Sequence, residues 1–305
     1  MIIKTEKVNG IATYTVKKDF EDDKMENKMN KFLKPTDIDK IIDHDADVYT
    51  EDGNLLLRFR KKVLTPANVD LFYDNVADFA HNTSGNRGSA TGSKTKNVKT
   101  NPRVMSNIFG YFDRWTPIHK VIFKKMGKTP SMTVRECRFN QDSPEKYKKT
   151  FPLIREIDQY YHKLAPEQYK LQRRKANQTF FRIPNTAFTT VTTNINYQTT
   201  THTDKGDDDE GFGNLAVIER GEYTGGETCF PQYGIGVDVR SGDVLFMDVH
   251  QPHSNLPIHK KTEDAVRLSI VCYLRKNVWL TTKGKTRKAF ENHNRTLKKM
   301  RTVPK

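Results

Sequence analysis

His202-Thr203-Asp204 puts an imidazole and a carboxylate two residues apart. On extended chain the side chains at i and i+2 point to one side, so this pair can serve a single metal ion. A third donor must come from elsewhere. His253 follows the apolar stretch 243–249, which Gly242-Asp243 introduces, and is the first choice; His250, three residues earlier, competes with it. Two imidazoles and a carboxylate make a facial triad, a set that holds Fe(II) and leaves positions open for a cosubstrate and O2. The same donors suit zinc, so on these residues alone a zinc hydrolase stays open. H-x-D arises often by chance. The weight lies in the order of features: H-x-D, a hairpin, a Gly-Asp turn, an apolar strand, His, then an Arg on the next strand.

That arginine is Arg267, in Arg267-Leu268-Ser269-Ile270-Val271. Arg267 and Ser269 share one strand face. A guanidinium grips a carboxylate through two parallel hydrogen bonds, and a nearby hydroxyl adds a third. The pair suits the distal carboxylate of 2-oxoglutarate, whose keto acid end would chelate the iron. Asn196 lies on the strand that leads to His202. Even-numbered neighbours there face the side of the ligands, so Asn196 is expected to reach the cosubstrate or the iron ligands.

Strands and helices must position these groups. Residues 1–65 carry alternating apolar segments such as Leu55-Leu57-Phe59, which read as short strands or hairpins. Pro66 opens a stretch with Val69, Phe72, Val76 and Phe79 on one face, the pattern of an amphipathic helix. Residues 82–101 turn to Gly, Ser, Thr, Asn and Lys and read as a long loop with no packed element. Residues 145–175 read as one or two helices broken at Pro166. From 188 onward β-branched runs separated by Gly pairs and Pro predict many short strands, hence a β-sandwich or jelly roll. The expected division is an N-terminal mixed region over 1–180, a β-core over 181–280 and a basic tail over 281–305, within one structural domain.

The 305 residues are only 35% hydrophobic, and Lys plus Arg outnumber Asp plus Glu by 52 to 37. The mean hydropathy of −0.77 fits a modest core with long surface loops. A surplus of 15 positive charges favours a polyanionic partner, because Lys and Arg that meet phosphates release condensed counterions. Cys137, Cys229 and Cys272 are far apart, which excludes a C-x-x-C thiolate site and fits a reducing compartment. No apolar run is long enough for a signal peptide core or a membrane span, so the expected location is cytoplasmic or nuclear.

The segment 188–255, with its H-x-D-K-x-D, GFGNL, Y-T-G-G-E, F-P-x-Y-G and G-D-V-L-F-M-D-V-H-x-x-H, followed by VRLSIVCYL, resembles the TET/JBP family of nucleic-acid-base dioxygenases. NRGSATG and IFGYFDR upstream point the same way. The resemblance implies an α+β fold whose C-terminal half is a double-stranded β-helix. It implies Fe(II), 2-oxoglutarate and O2, and oxidation of the 5-methyl group of thymine or 5-methylcytosine in DNA. By motif position His202, Asp204 and His253 match the iron ligands, Arg267 the 2-oxoglutarate anchor, and Asp207 a position that contacts the target base in some members. Arg275 stands where some 5-methylcytosine-directed members carry a histidine, which leaves the base open.

A base inside a duplex is out of reach, so such an enzyme must flip it or use single strands. Asn86 and Arg87 are placed to fill the gap or touch the backbone. Lys94, Lys96, Lys99 and the basic tail, Arg287, Lys288, Arg295, Lys298, Lys299 and Arg301, are electrostatic candidates for phosphate. Two alternatives stand beside this reading: a prolyl or lysyl hydroxylase of the same superfamily, and a non-catalytic DNA-binding protein on the same fold.

Overall fold

The computed structural model describes residues 1–94, 99–113, 127, 134–292 and 295. A hairpin opens the chain, β1 (Ile2–Val8) and β2 (Ile11–Val16), turned at Asn9 and Gly10, both at positive φ. Then come β3 (Lys40–Ile42), β4 (Ala46–Thr50), β5 (Leu55–Arg60) and helix α1 (Pro66–Ala80). β6 (Ser106–Phe112) and β7 (Arg135–Glu136) precede helices α2 (Pro144–Lys149), α3 (Phe151–Leu164) and α4 (Pro166–Ala176). The second half is mostly strand: β8 (Thr190–Ile195), β9 (Gly213–Arg220), β10 (Tyr223–Gly225), β11 (Thr228–Phe230), β12 (Ile235–Val237), β13 (Val244–Met247), β14 (Ser254–Asn255), β15 (Ile258–Lys260) and β16 (Val266–Tyr273). Helix α5 (Lys276–Thr282) follows.

A ten-stranded sheet runs β1-β2-β4-β5-β13-β9-β16-β8-β6-β7. It faces a four-stranded sheet, β14-β11-β12-β3. Leu57, Phe59, Leu215, Leu245, Phe230 and Val237 pack between them, the two-layer filling of a double-stranded β-helix. The jelly-roll expectation holds, with one difference. The large sheet is not confined to the C-terminal half, because β1, β2, β4 and β5 extend it past β13 and β6 extends it past β8.

Helices cover the outer face of the large sheet. α1 begins with Pro66 at its first turn and buries Val69, Phe72, Val76 and Ala80. α3 buries Ile154, Ile157, Tyr161 and Leu164, and Tyr161 stacks on Phe188 and Phe246. The stretch 145–175 holds three helices, since Pro152 and Pro166 each sit in a first turn and end the element before them.

Strands β8 and β16 at the middle of the sheet are covered on both faces, and period-2 alternation assigns each residue a side. Val191 and Ile195 of β8, with Leu268, Ile270 and Cys272 of β16, join the helix-side core. Thr192, Asn194, Arg267, Ser269, Val271 and Tyr273 face the opposite way and line a cavity of about 680 Å³. The loop 82–101 departs from the expectation of a loop without packed structure. Gly88–Thr91 forms a 3-10 turn, Ser84 pairs with Val104, and the carbonyl of Ala90 accepts from Tyr197 Oη (2.6 Å) and from Thr200 N–H (3.0 Å). Its polar backbone and side chains find partners in the β-core, which composition alone does not reveal. Lys96 and Lys298, Lys299 and Arg301 lie outside the described residues.

Candidate metal and cosubstrate site

His202 and Asp204 sit just past the end of β8, and His253 sits between β13 and β14. Two backbone bonds hold the segments together, His202 N–H to the His253 carbonyl (3.0 Å) and the reverse (2.9 Å). Asp204 N–H donates to the Val249 carbonyl at 3.0 Å. The result is a short antiparallel ladder that aims the side chains at one point. Ligand atoms of His202, Asp204 and His253 all lie within 4.8 Å of one another. Asp204 Oδ1 is 3.6 Å from His202 Nε2, and Oδ2 is 3.7 Å from His253 Nε2.

The chemistry of this donor set fits a divalent transition metal. His202 Nδ1 meets the Thr200 carbonyl at 2.7 Å and His253 Nδ1 meets that of Gln251 at 2.9 Å. Only a protonated Nδ1 can make those bonds, so in the neutral ring Nε2 is the nitrogen with a lone pair for a metal. Burial, and then the neighbouring His253, push the His202 pKa down to about 4, which keeps the imidazole neutral. His250 does not join the group. Its Nε2 meets the Asp208 carbonyl (3.0 Å) and its N–H donates to Asp248 (3.0 Å).

Arg267 and Ser269 line the same cavity. Arg267 is 4% exposed, yet among the described residues its guanidinium makes no hydrogen bond and no ion pair, and only its backbone N–H donates, to Asn196. Burial lowers its pKa from the usual arginine value, against the opposing pull of Tyr223, Glu219 and Glu227. A wall that holds a bare guanidinium calls for an anion, and a carboxylate of a 2-oxo acid supplies one.

Asn196 is a correction. The chain leaves strand geometry after Ile195, and Asn196 has φ +46, so the two-residue parity fails there. Its Nδ2 donates to the Ala265 carbonyl (2.8 Å) and its Oδ1 accepts from Arg267 N–H (2.8 Å). Both ends of the amide are spent on the backbone of the strand that carries Arg267. The asparagine of β8 that does face the cavity is Asn194, which the sequence reading passed over.

Asp207, Arg275, Asn86 and Arg87 also line the cavity. Burial and then Asp204 raise the Asp207 pKa well above the usual carboxylate value. Arg275 is held on three sides. Its Nε donates to Asp113 (2.8 Å), its guanidinium lies 4.5 Å over the Phe112 ring, and its N–H donates to Thr189 Oγ1 (2.8 Å). The acidic run after Asp207 is tied down by Lys175, which reaches Asp208 (2.5 Å) and Glu210 (2.6 Å).

Comparison with known proteins agrees with this geometry. Residues 119–276 match the profile of the Tet_JBP family, described as the oxygenase domain of the 2OGFeDO superfamily. The chain is 34% identical over 173 residues to "Thymine dioxygenase JBP1" of Trypanosoma brucei brucei, covering 56% of this chain and 19% of that protein. It is 32% identical over 181 residues to "Bifunctional helicase and thymine dioxygenase JBP2" of Trypanosoma cruzi (strain CL Brener), covering 58% of this chain and 15% of that protein. The chain thus spans under a fifth of the length of these relatives. Among solved structures, "NgTET1 in complex with 5mC DNA" shares the fold at a TM-score of 0.55 with 14% identity, over 92% of this chain and 90% of that one.

Proposed function

Because this chain belongs to the TET/JBP oxygenase family, we propose that it is an Fe(II)- and 2-oxoglutarate-dependent dioxygenase that hydroxylates the 5-methyl group of a pyrimidine base in DNA, with release of CO2 and succinate. The observation that carries the reading is the buried, unpaired Arg267 in the wall of the cavity onto which His202, Asp204 and His253 converge. His202, Asp204 and His253 would hold the metal. Arg267 would receive the distal carboxylate of 2-oxoglutarate through two parallel bonds, and Ser269 would add a hydroxyl. When bound, metal and 2-oxo acid together supply the activation of O2 that a C–H bond requires.

The protein's own work is orientation. The imidazoles, each tied through Nδ1 to a backbone carbonyl, would present Nε2 from fixed rings, and the guanidinium would hold the cosubstrate by the end away from the metal. A cavity of about 680 Å³ has room for the 2-oxo acid and a flipped base together. Asp207, Asn86, Arg87 and Arg275 would meet the base or its backbone on the remaining walls. The positive surplus favours DNA over a neutral peptide. The matched relatives are named thymine dioxygenases, which supports thymine as the base. A prolyl or lysyl hydroxylase would share the triad and the arginine, but the family match does not favour it.

The test is nucleoside mass spectrometry after incubation with Fe(II), 2-oxoglutarate and DNA containing thymine or 5-methylcytosine. We expect 5-hydroxymethyluracil with matching succinate, and neither from Asp204→Ala. Absence of any oxidised base, or unchanged turnover in Asp204→Ala, would overturn the proposal.

A further inference from the structure

Three polar side chains stand in register across neighbouring strands of the large sheet. Ser269 of β16 pairs with Asn194 of β8, and Asn194 pairs on its other side with Ser106 of β6. All three face the cavity, so the row runs along its wall. Hydrogen bonds join the row end to end. Arg87 Nε donates to Ser106 Oγ (2.5 Å), Ser106 Oγ donates to Asn194 Oδ1 (2.5 Å), and Asn194 Nδ2 donates to Ser269 Oγ (3.2 Å).

The bonds run in one direction from the Arg87 end. A guanidinium has no acceptor, so Ser106 accepts from Arg87, and its hydroxyl donates to Asn194 Oδ1. Asn194 must then present its oxygen to Ser106, which turns its NH2 toward Ser269. Ser269 accepts, and its own O–H meets no acceptor among the described residues. Ser269 is 6% exposed and lines the cavity that Arg267 also lines. Each bond polarises the next, so a chain that starts at a cation ends in a strengthened donor.

We propose that Arg87, Ser106 and Asn194 form a directional relay that arms the Ser269 hydroxyl for a carboxylate and ties the order of the 84–92 loop to binding of the 2-oxo acid. Arg87 belongs to the loop that covers the cavity, and Ser269 belongs to its floor. A carboxylate on Ser269 draws the whole row tighter, and the pull ends on Arg87. The loop thereby senses whether the cosubstrate is in place before DNA arrives. Ser106 and Asn194 are positioning residues in this scheme. The proposal rests on the reading of Arg267 and Ser269 as the 2-oxoglutarate site.

The experiment is hydrogen–deuterium exchange of the full chain with redox-inactive Mn(II), with and without 2-oxoglutarate, alongside calorimetric titration of 2-oxoglutarate. In the unmodified protein, 2-oxoglutarate should slow exchange across 84–92. Ser106→Ala cuts the row in the middle. It should bind 2-oxoglutarate roughly five- to tenfold more weakly and lose the slowing at 84–92 even at saturation. Ser106→Thr restores the hydroxyl and should restore both. In turnover, Ser106→Ala should raise KM for 2-oxoglutarate more than it lowers kcat. If 2-oxoglutarate binds but leaves 84–92 unchanged, or if Ser106→Ala keeps the slowing, the relay is wrong while the cosubstrate site stands. If 2-oxoglutarate does not bind at all, the site reading fails and the relay falls with it.

Discussion

Arg267 shows how a site declares itself by an imbalance. A cation buried among strands should be paired, because removing it from water costs several kcal/mol. Here no described carboxylate pairs with it, and its backbone is instead fixed by Asn196. Two results follow. Arg267→Met should stabilise the ligand-free protein by about 1–2 kcal/mol, since an apolar chain replaces an unpaired charge. The same change should weaken 2-oxoglutarate binding about 100-fold, the loss of two charge-assisted bonds. Denaturant titration and calorimetry measure the two effects, and a destabilised Arg267→Met would contradict the unpaired-charge argument. Asn196 ties its side-chain amide to the backbone of Ala265 and Arg267. Asn196→Ala should cost about 3 kcal/mol, from two lost hydrogen bonds and a left-handed backbone that alanine resists. Asn196→Gly keeps the backbone conformation easy and should cost about 1 kcal/mol less. Equal losses in the two variants would show that φ +46 is not the constraint.

Among elements, two glycines separate strain in the scaffold from strain at the site. Gly110 in β6 has φ +89, and a Cβ there would lie 2.5 Å from the Thr189 carbonyl. Asn140 also clamps both backbone groups of Gly110, at 3.0 and 3.1 Å. Backbone cannot move aside, so Gly110→Ala should cost roughly 2–4 kcal/mol in unfolding free energy. At Gly206 the atoms nearest a Cβ would be those of the Arg275 guanidinium, the first at 1.6 Å. Arg275 can swing away, but it then leaves Asp113 and Phe112. Gly206→Ala should therefore cost about 3 kcal/mol, because buried Asp113 loses its partner, and should still bind 2-oxoglutarate. Its kcat/KM on DNA should fall about 10- to 100-fold, as expected when a group in the substrate cavity is displaced. A drop in 2-oxoglutarate affinity instead would mean that Arg275 serves the cosubstrate.

At the scale of the whole molecule the surplus of 15 positive charges would, on the proposed function, set how DNA is met. Lys205 is exposed on the cavity rim, and no described side chain pairs with it. Binding to DNA should weaken linearly in log–log terms as salt rises, with a slope near 0.9 per phosphate contacted, and Lys205→Ala should reduce the slope by about one. Binding of 2-oxoglutarate in the buried cavity should change far less over the same range, because screening acts mainly on exposed charges. A fluorescence-anisotropy salt series measures the first effect; a flat response would remove the electrostatic argument for a nucleic-acid partner. No described helix is long and apolar enough to cross a membrane.

His202 and Asp204 were legible as a pair because two-residue spacing on extended chain is a local rule, and Arg267 with Ser269 for the same reason. Helix α1 and strands β8, β9, β13 and β16 could be read because their apolar periods are long enough to mark a buried face. What escaped was everything that depends on register and on chain ends. Ser106, Asn194 and Ser269 lie up to 163 positions apart in the chain and meet only because β6, β8 and β16 pair side by side. Asn196 misled because parity holds only while the strand lasts, and a single positive φ ends it. Local sequence determines which way a side chain points within its own element; only the packed sheet decides which other side chain it will find there.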